Sequence, residues 1–64
     1  MSRFHCPPGA YDRARRVAEI LRRRGVEVTE DRQDGHLVLM VGDEVDDELI
    51  RLAQINKAPL KREA

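Results

Sequence analysis

One cysteine, few aromatic residues and no long apolar run set the first limits on this chain. Cys6 is its single cysteine, so no disulfide can close within the monomer. A lone thiol fits a reducing compartment, and a cytoplasmic location is the expectation. Aromatic residues make up 3% of the sequence, as Phe4 and Tyr11. A sheet that binds single-stranded nucleic acid by base stacking needs more of them on its exposed face. No apolar run approaches the ~20 residues that span a bilayer, so no membrane partner is expected. Met1–Cys6 also lacks the apolar stretch of a secretory leader. There is no glycine-rich phosphate loop, no nucleophile elbow and no paired catalytic carboxylate, which points away from an enzyme. No cofactor is implied. A net charge of zero, from 12 basic and 12 acidic side chains, favours no class of charged partner by itself.

What the sequence has is internal polarity. Arg13, Arg15, Arg16, Arg22, Arg23 and Arg24 crowd the segment Ala10–Arg24 against only Asp12 and Glu19. Asp43, Glu44, Asp46, Asp47 and Glu48 crowd the start of Glu44–Asn56 against Arg51. Both segments have helical periodicity. Ala10, Ala14, Val17, Ala18 and Leu21 mark the buried face of the first, and Val45, Leu49, Leu52 and Ala53 that of the second. Cations in the last turn of one helix and acids in the first turn of the other each suit the helix dipole. Asp12–Arg16 and Glu19–Arg23 are spaced as favourable ion pairs. Gly25 stands where a helix C-terminal glycine belongs. Asp43 reads as an N-cap, and Pro59 closes the second helix.

The remaining segments read as strands. Arg3–Cys6 is short and stopped by Pro7-Pro8-Gly9. Val26–Glu30 alternates as a half-buried strand does, and Asp31–Gly35 supplies a turn with Asp34-Gly35 as its strongest signal. His36–Val41 is almost continuously apolar and reads as a central, buried strand. Ala58–Ala64 is expected to be a short fourth strand or a frayed tail. Residues 1–64 form one small domain of order β-α-β-β-α, with a further β where the tail pairs. Inserting the third strand between the first two buries it. That gives an α+β, ferredoxin-like split β-α-β arrangement with two helices on one face of a small sheet. The helices then run in opposite directions, and Arg22–Arg24 meet Asp43–Glu48 at one end.

Cys6 is the most reactive side chain, with His5 and His36 as bases or co-ligands at the same end of the sheet. Successive strand residues point to opposite faces, so His5 and Cys6 make poor co-ligands, and no zinc-finger spacing is present. A small buried hydrophobe is the simpler reading of Cys6. A cysteine after the first strand, followed by helix, strand, strand and helix, resembles heavy-metal-associated domains. In that family a Cys-x-x-Cys loop holds the metal, and here the second position is Gly9. Cys6-Pro7-Pro8-Gly9 has a looser likeness to the Cys-Pro-x-Pro motif of sulfur carriers. These likenesses imply a Cys6-dependent metal- or sulfur-handling role as a second alternative.

The first expectation for function is a non-enzymatic interaction or regulatory module that binds itself or another protein. In the central strand Leu37, Leu39 and Val41 can face the helices. Val38 and Met40, with parts of Arg3 and His5, are then left on the other face as an apolar patch. The alternative is nucleic-acid binding through Arg13, Arg15, Arg16, Arg22 and Arg23. Interleaved acids and the acidic second helix oppose that alternative.

Overall fold

The computed structural model describes all 64 residues. The elements are β1 (Ser2–Cys6), α1 (Tyr11–Arg23), β2 (Thr29–Gln33), β3 (His36–Val41), a 3-10 turn at Asp43–Val45, α2 (Asp46–Ile55) and β4 (Lys61–Arg62). The sheet is antiparallel in the order β2-β3-β1-β4. The central position of β3 and the crossover through α1 are those expected, and the tail forms a strand. The fold is α+β with the ferredoxin-like β-α-β arrangement.

Pairing register assigns every strand residue to a face. Phe4 lies opposite Leu39, and Cys6 opposite Leu37. These side chains are buried under the helices with Ala14, Val17, Ala18 and Leu21 of α1 and with Leu49, Leu52 and Ala53 of α2. The helical stripes read from periodicity are therefore the buried ones, Val45 being only partly covered.

Helix ends explain the connections. Gly25 takes φ +85. The Val26 N–H then donates to the Leu21 carbonyl, and the Gly25 N–H to that of Arg22. This closure satisfies carbonyls that would otherwise be orphaned at the end of α1. The same pattern ends α2, where the Ala58 N–H donates to Ala53 and the Lys57 N–H to Gln54. There Lys57 holds φ +54 without being glycine. α2 thus stops at Ile55, short of Pro59. Asp34 and Gly35 both have positive φ and form the two-residue turn joining β2 to β3.

Two expectations need correction. The second strand is Thr29–Gln33 rather than Val26–Glu30, so Asp31, Arg32 and Gln33 pair with β3 instead of forming a loop. Strong central pairing with β3 and a tight turn at Asp34-Gly35 dictate this register, and the turn leaves Gln33 opposite His36. Val28 still reaches the core, from the connection before the strand. Asp43 is not an N-cap of α2. It opens the 3-10 turn, and its carboxylate instead accepts from Ser2 Oγ at 3.0 Å and pairs with the Met1 amino group at 2.9 Å.

Of the charges expected to meet at the end shared by α1 and α2, one pair does so, while Arg22 and Arg23 turn to Glu30 and Glu19. Arg24 Nη1 reaches Glu48 Oε1 at 2.8 Å, which fixes the opposite running directions of the helices. Glu19 pairs with Arg23, whereas Asp12 and Arg16 do not pair.

Candidate functional site: the open sheet face and the β4 edge

The sheet face away from the helices carries Thr29, Asp31 and Gln33 from β2 and His36, Val38 and Met40 from β3. Arg3 and His5 from β1 and Lys61 from β4 complete it. Val38 and Met40 do lie there, as expected, but they do not form an exposed apolar patch. Val38 is 0% exposed. Its cross-strand neighbours on that face are His5 and Asp31. Met40 is half-buried, and Arg3 Nη1 donates to its sulfur at 3.2 Å. Helices are thus not the only cover in this fold, and side chains of the neighbouring strands form a roof on the other face.

That roof is tied together by Glu63, just past β4. Its Oε2 accepts from Arg3 Nε at 2.7 Å and from His5 Nε2 at 3.1 Å. A carboxylate only accepts, so the Nε2 of His5 carries the proton. The His5 hydrogen bond, then the Arg3 guanidinium, hold the Glu63 carboxyl below its ordinary range. His5 and His36 meet edge to face with ring centroids 6.0 Å apart. With Pro7, Pro59, Leu60 and Lys61 they line a cleft of about 450 Å³.

Cys6 is separated from both histidines by the sheet. It is fully buried on the helix side, and its Sγ donates to the Ala10 carbonyl at 3.4 Å. Burial pushes its thiol above the ordinary value, against the nearby Arg13 charge. The alternation argument that kept Cys6 and His5 apart therefore describes the arrangement found. No group of three or more His, Cys, Asp or Glu side chains is arranged to hold a metal ion.

The arginines of α1 are mostly spent within the chain. Glu30 accepts from Arg15 at 3.3 Å and from Arg22 at 3.1 Å, and Arg22 also caps the Val28 carbonyl. Arg23 pairs with Glu19, and Arg13 donates to the Lys57 carbonyl at 3.0 Å. Of the five arginines named for nucleic acid, Arg16 alone has no such partner. Arg15 and Arg22 thus converge on one acid, Arg23 pairs along its own helix, and Arg13 reaches across to the end of α2.

The two sheet edges differ. β2 is five residues long and charged, and Arg32 stacks over Tyr11 at 4.4 Å while the Tyr11 hydroxyl donates to the Gly35 carbonyl. Charge and covering side chains are how edges are kept from pairing. β4 is the shorter edge, and its outer side is bare. Beside it, Ile50 and Ala53 of α2 face Ala58, Pro59 and Leu60 across a groove of about 310 Å³. Ile50 is 40% exposed. Sequence reasoning did not single out Ile50, Leu60, Lys61 or Glu63. A signal was present in Ile50, an apolar residue off the Leu49–Leu52–Ala53 stripe.

No family model matches this chain, and it has no match among curated proteins or solved structures. No helix is long and apolar enough to cross a membrane.

Proposed function

We propose that this chain is a small non-enzymatic interaction module that pairs with a second copy of itself along the β4 edge. The observation that carries the reading is the bare β4 edge lying beside the apolar groove of Ile50, Ala53 and Leu60. The Glu63 N–H donates inward to the Arg3 carbonyl at 2.8 Å. Residues of an antiparallel strand alternate in the neighbour they address, so the Arg62 N–H and C=O point outward. A two-fold axis at Arg62 lets these groups bond their counterparts. It also sets Lys61 opposite the partner's Glu63, an oppositely charged cross-strand pair. Like-charge repulsion between the two Arg62 side chains is offset because each is held at 2.9 Å by its own Asp46. Ile50 and Leu60 then lose water against the same residues of the partner, the apolar gain a small domain lacks alone. Pairing across the open face is disfavoured, because Val38 is already covered and the rest of that face is largely charged or polar.

Sedimentation and light scattering across micromolar to millimolar protein test this reading. The expected result is a concentration-dependent dimer, dissociated by Ile50→Lys and weakened by Lys61→Glu, while Met40→Lys leaves it intact. A strictly monomeric chain overturns the reading. So does a dimer broken by Met40→Lys and indifferent to Ile50→Lys, which would return the interface to the open face.

A further inference from the structure

Three segments distant in sequence build the cleft at one end of the sheet. His5 and Pro7 come from the end of β1, His36 from the start of β3, and Pro59, Leu60 and Lys61 from the approach to β4. Its volume of about 450 Å³ is that of a small-molecule site. We propose that this cleft binds a small organic monoanion, a carboxylate carried on a flat aromatic body.

The walls select the apolar body. Pro7 and Pro59 are rigid rings and Leu60 is aliphatic. The His5 and His36 rings meet edge to face, with centroids 6.0 Å apart at an interplanar angle of 68°. An aromatic guest extends packing of that kind. His5 gives its Nε2 proton to Glu63, so its ring serves the guest as a surface.

The charges select the head. Lys61 supplies the one fixed positive charge of the lining, and no ion pair within the chain engages it. Arg3 and Glu63 neutralise each other at 2.7 Å. Glu63 also lies 3.1 Å behind His5, and Asp31 of β2 shares the same sheet face, so a dianion is opposed. The backbone amides that cradle a phosphate are missing as well. Pro7 and Pro59 have no N–H, and the Leu60 N–H donates to the Ala58 carbonyl at 2.8 Å. A single ammonium beside apolar walls matches a carboxylate on an aromatic ring.

Naphthoate, titrated into the intact chain and followed by NMR shifts, is the probe. In the proposed dimer Lys61 faces Glu63 of the partner subunit. The titration is therefore run at a protein concentration where sedimentation finds monomer, which keeps this test separate from that of pairing. One site per chain with a dissociation constant of about 1 mM is expected for a ligand of this size. The shifts should centre on His5 and His36. Lys61→Met keeps the apolar stem and should weaken naphthoate about fivefold, the upper worth of an exposed ion pair. Uncharged naphthylmethanol should bind the unaltered chain that much more weakly than naphthoate, and Lys61→Met should leave its affinity unchanged. His36→Ala removes a wall and should weaken both ligands. Lys61 and His36 lie outside the core, and circular dichroism confirms that both variants are folded. Equal affinity for naphthoate and its alcohol overturns the proposal, as does an unchanged naphthoate affinity in Lys61→Met. Shifts centred on Ile50 and Gln54 of the neighbouring groove also refute it. So do tighter binding of inorganic phosphate and an absence of saturation by about 10 mM naphthoate.

Discussion

Leu39→Ala is the sharpest probe of the packing. Leu39 is fully buried at the centre of β3, opposite Phe4 on β1 and Glu30 on β2, with both helices above it. Truncation removes three carbons from a site whose neighbours are held by two strand pairings and cannot collapse inward. The expected cost is therefore about 3–4 kcal/mol, within the range of about 2–5 for buried leucine. A chain of this length has about 3–10 kcal/mol in total, at roughly 0.05–0.15 kcal/mol per residue. Urea denaturation at fixed protein concentration is the assay, because any dimer would make stability concentration-dependent. With a slope near 1 kcal/mol per molar urea for so small a domain, the midpoint should drop by about 3 M, or the chain should be unfolded in water. Leu39→Met keeps the volume and should cost less than about 1.5 kcal/mol. A Leu39→Ala midpoint no lower than that of Leu39→Met would refute the central, two-sided burial of β3.

Three further outcomes follow from particular contacts. The Cys6 thiol should react with iodoacetamide far more slowly in the folded chain than in denaturant, because burial keeps it protonated and out of reach. Its raised value also gives a sign. The stabilisation is complete below the thiol's unfolded value and is lost as pH climbs through the folded one, so Cys6→Ala should flatten the alkaline decline in stability. Glu63 is lowered in the fold, so its ties to His5 and Arg3 persist above the ordinary carboxylate range and are lost as pH falls through its depressed value. Protection of the Glu63 amide, measured against its intrinsic exchange rate at each pH, should fall in acid, and Glu63→Gln should lower it already at neutral pH. Lys57→Gly should stabilise the chain by about 1 kcal/mol, because a non-glycine residue in the left-handed region costs about that much. An unchanged thermal midpoint would count against the Lys57 conformation.

The parts legible in the sequence were those governed by one strong local rule. Helical stripes, the Gly25 and Asp34-Gly35 turns and the apolar β3 each have a pattern that only one structure satisfies. The bounds of β2 were harder to read. Val26 and Val28 alternate as in a strand, yet pairing selected Thr29–Gln33, whose side chains carry little apolar signal. Propensity lost there to the register set by the turn. The open face was misjudged for a different reason. Periodicity assigns Val38 to a face but says nothing about neighbours from other strands. Those neighbours are set by pairing across the sheet, His5 on one side and Asp31 on the other. The His5–His36–Glu63 grouping was partly visible, since both histidines were placed at one end of the sheet. Glu63 was not, because its position depends on the tail forming a strand.

The same accounting of partners explains why β4, and no other surface, is the proposed interface. Most charged side chains on the helix layer are satisfied within the chain. Glu30 holds Arg15 and Arg22, Glu48 holds Arg24, Glu19 holds Arg23, and Asp46 holds Arg62. Exposed pairs of this kind add only ~0–1 kcal/mol each. They engage one or two of the five donors of each guanidinium and leave the polar surface well solvated. β2 is guarded by its own charges and by Arg32 over Tyr11. What distinguishes β4 is not an absence of charge, since it is Lys61–Arg62, but outward peptide groups that meet only water beside an isoleucine that belongs to no core stripe. Water satisfies that edge in the monomer, so the edge alone gives little drive to associate. The drive must come from Ile50 and Leu60, and the edge bonds then set the geometry. Substituting the groove should therefore abolish pairing, whereas reversing Lys61 should weaken it.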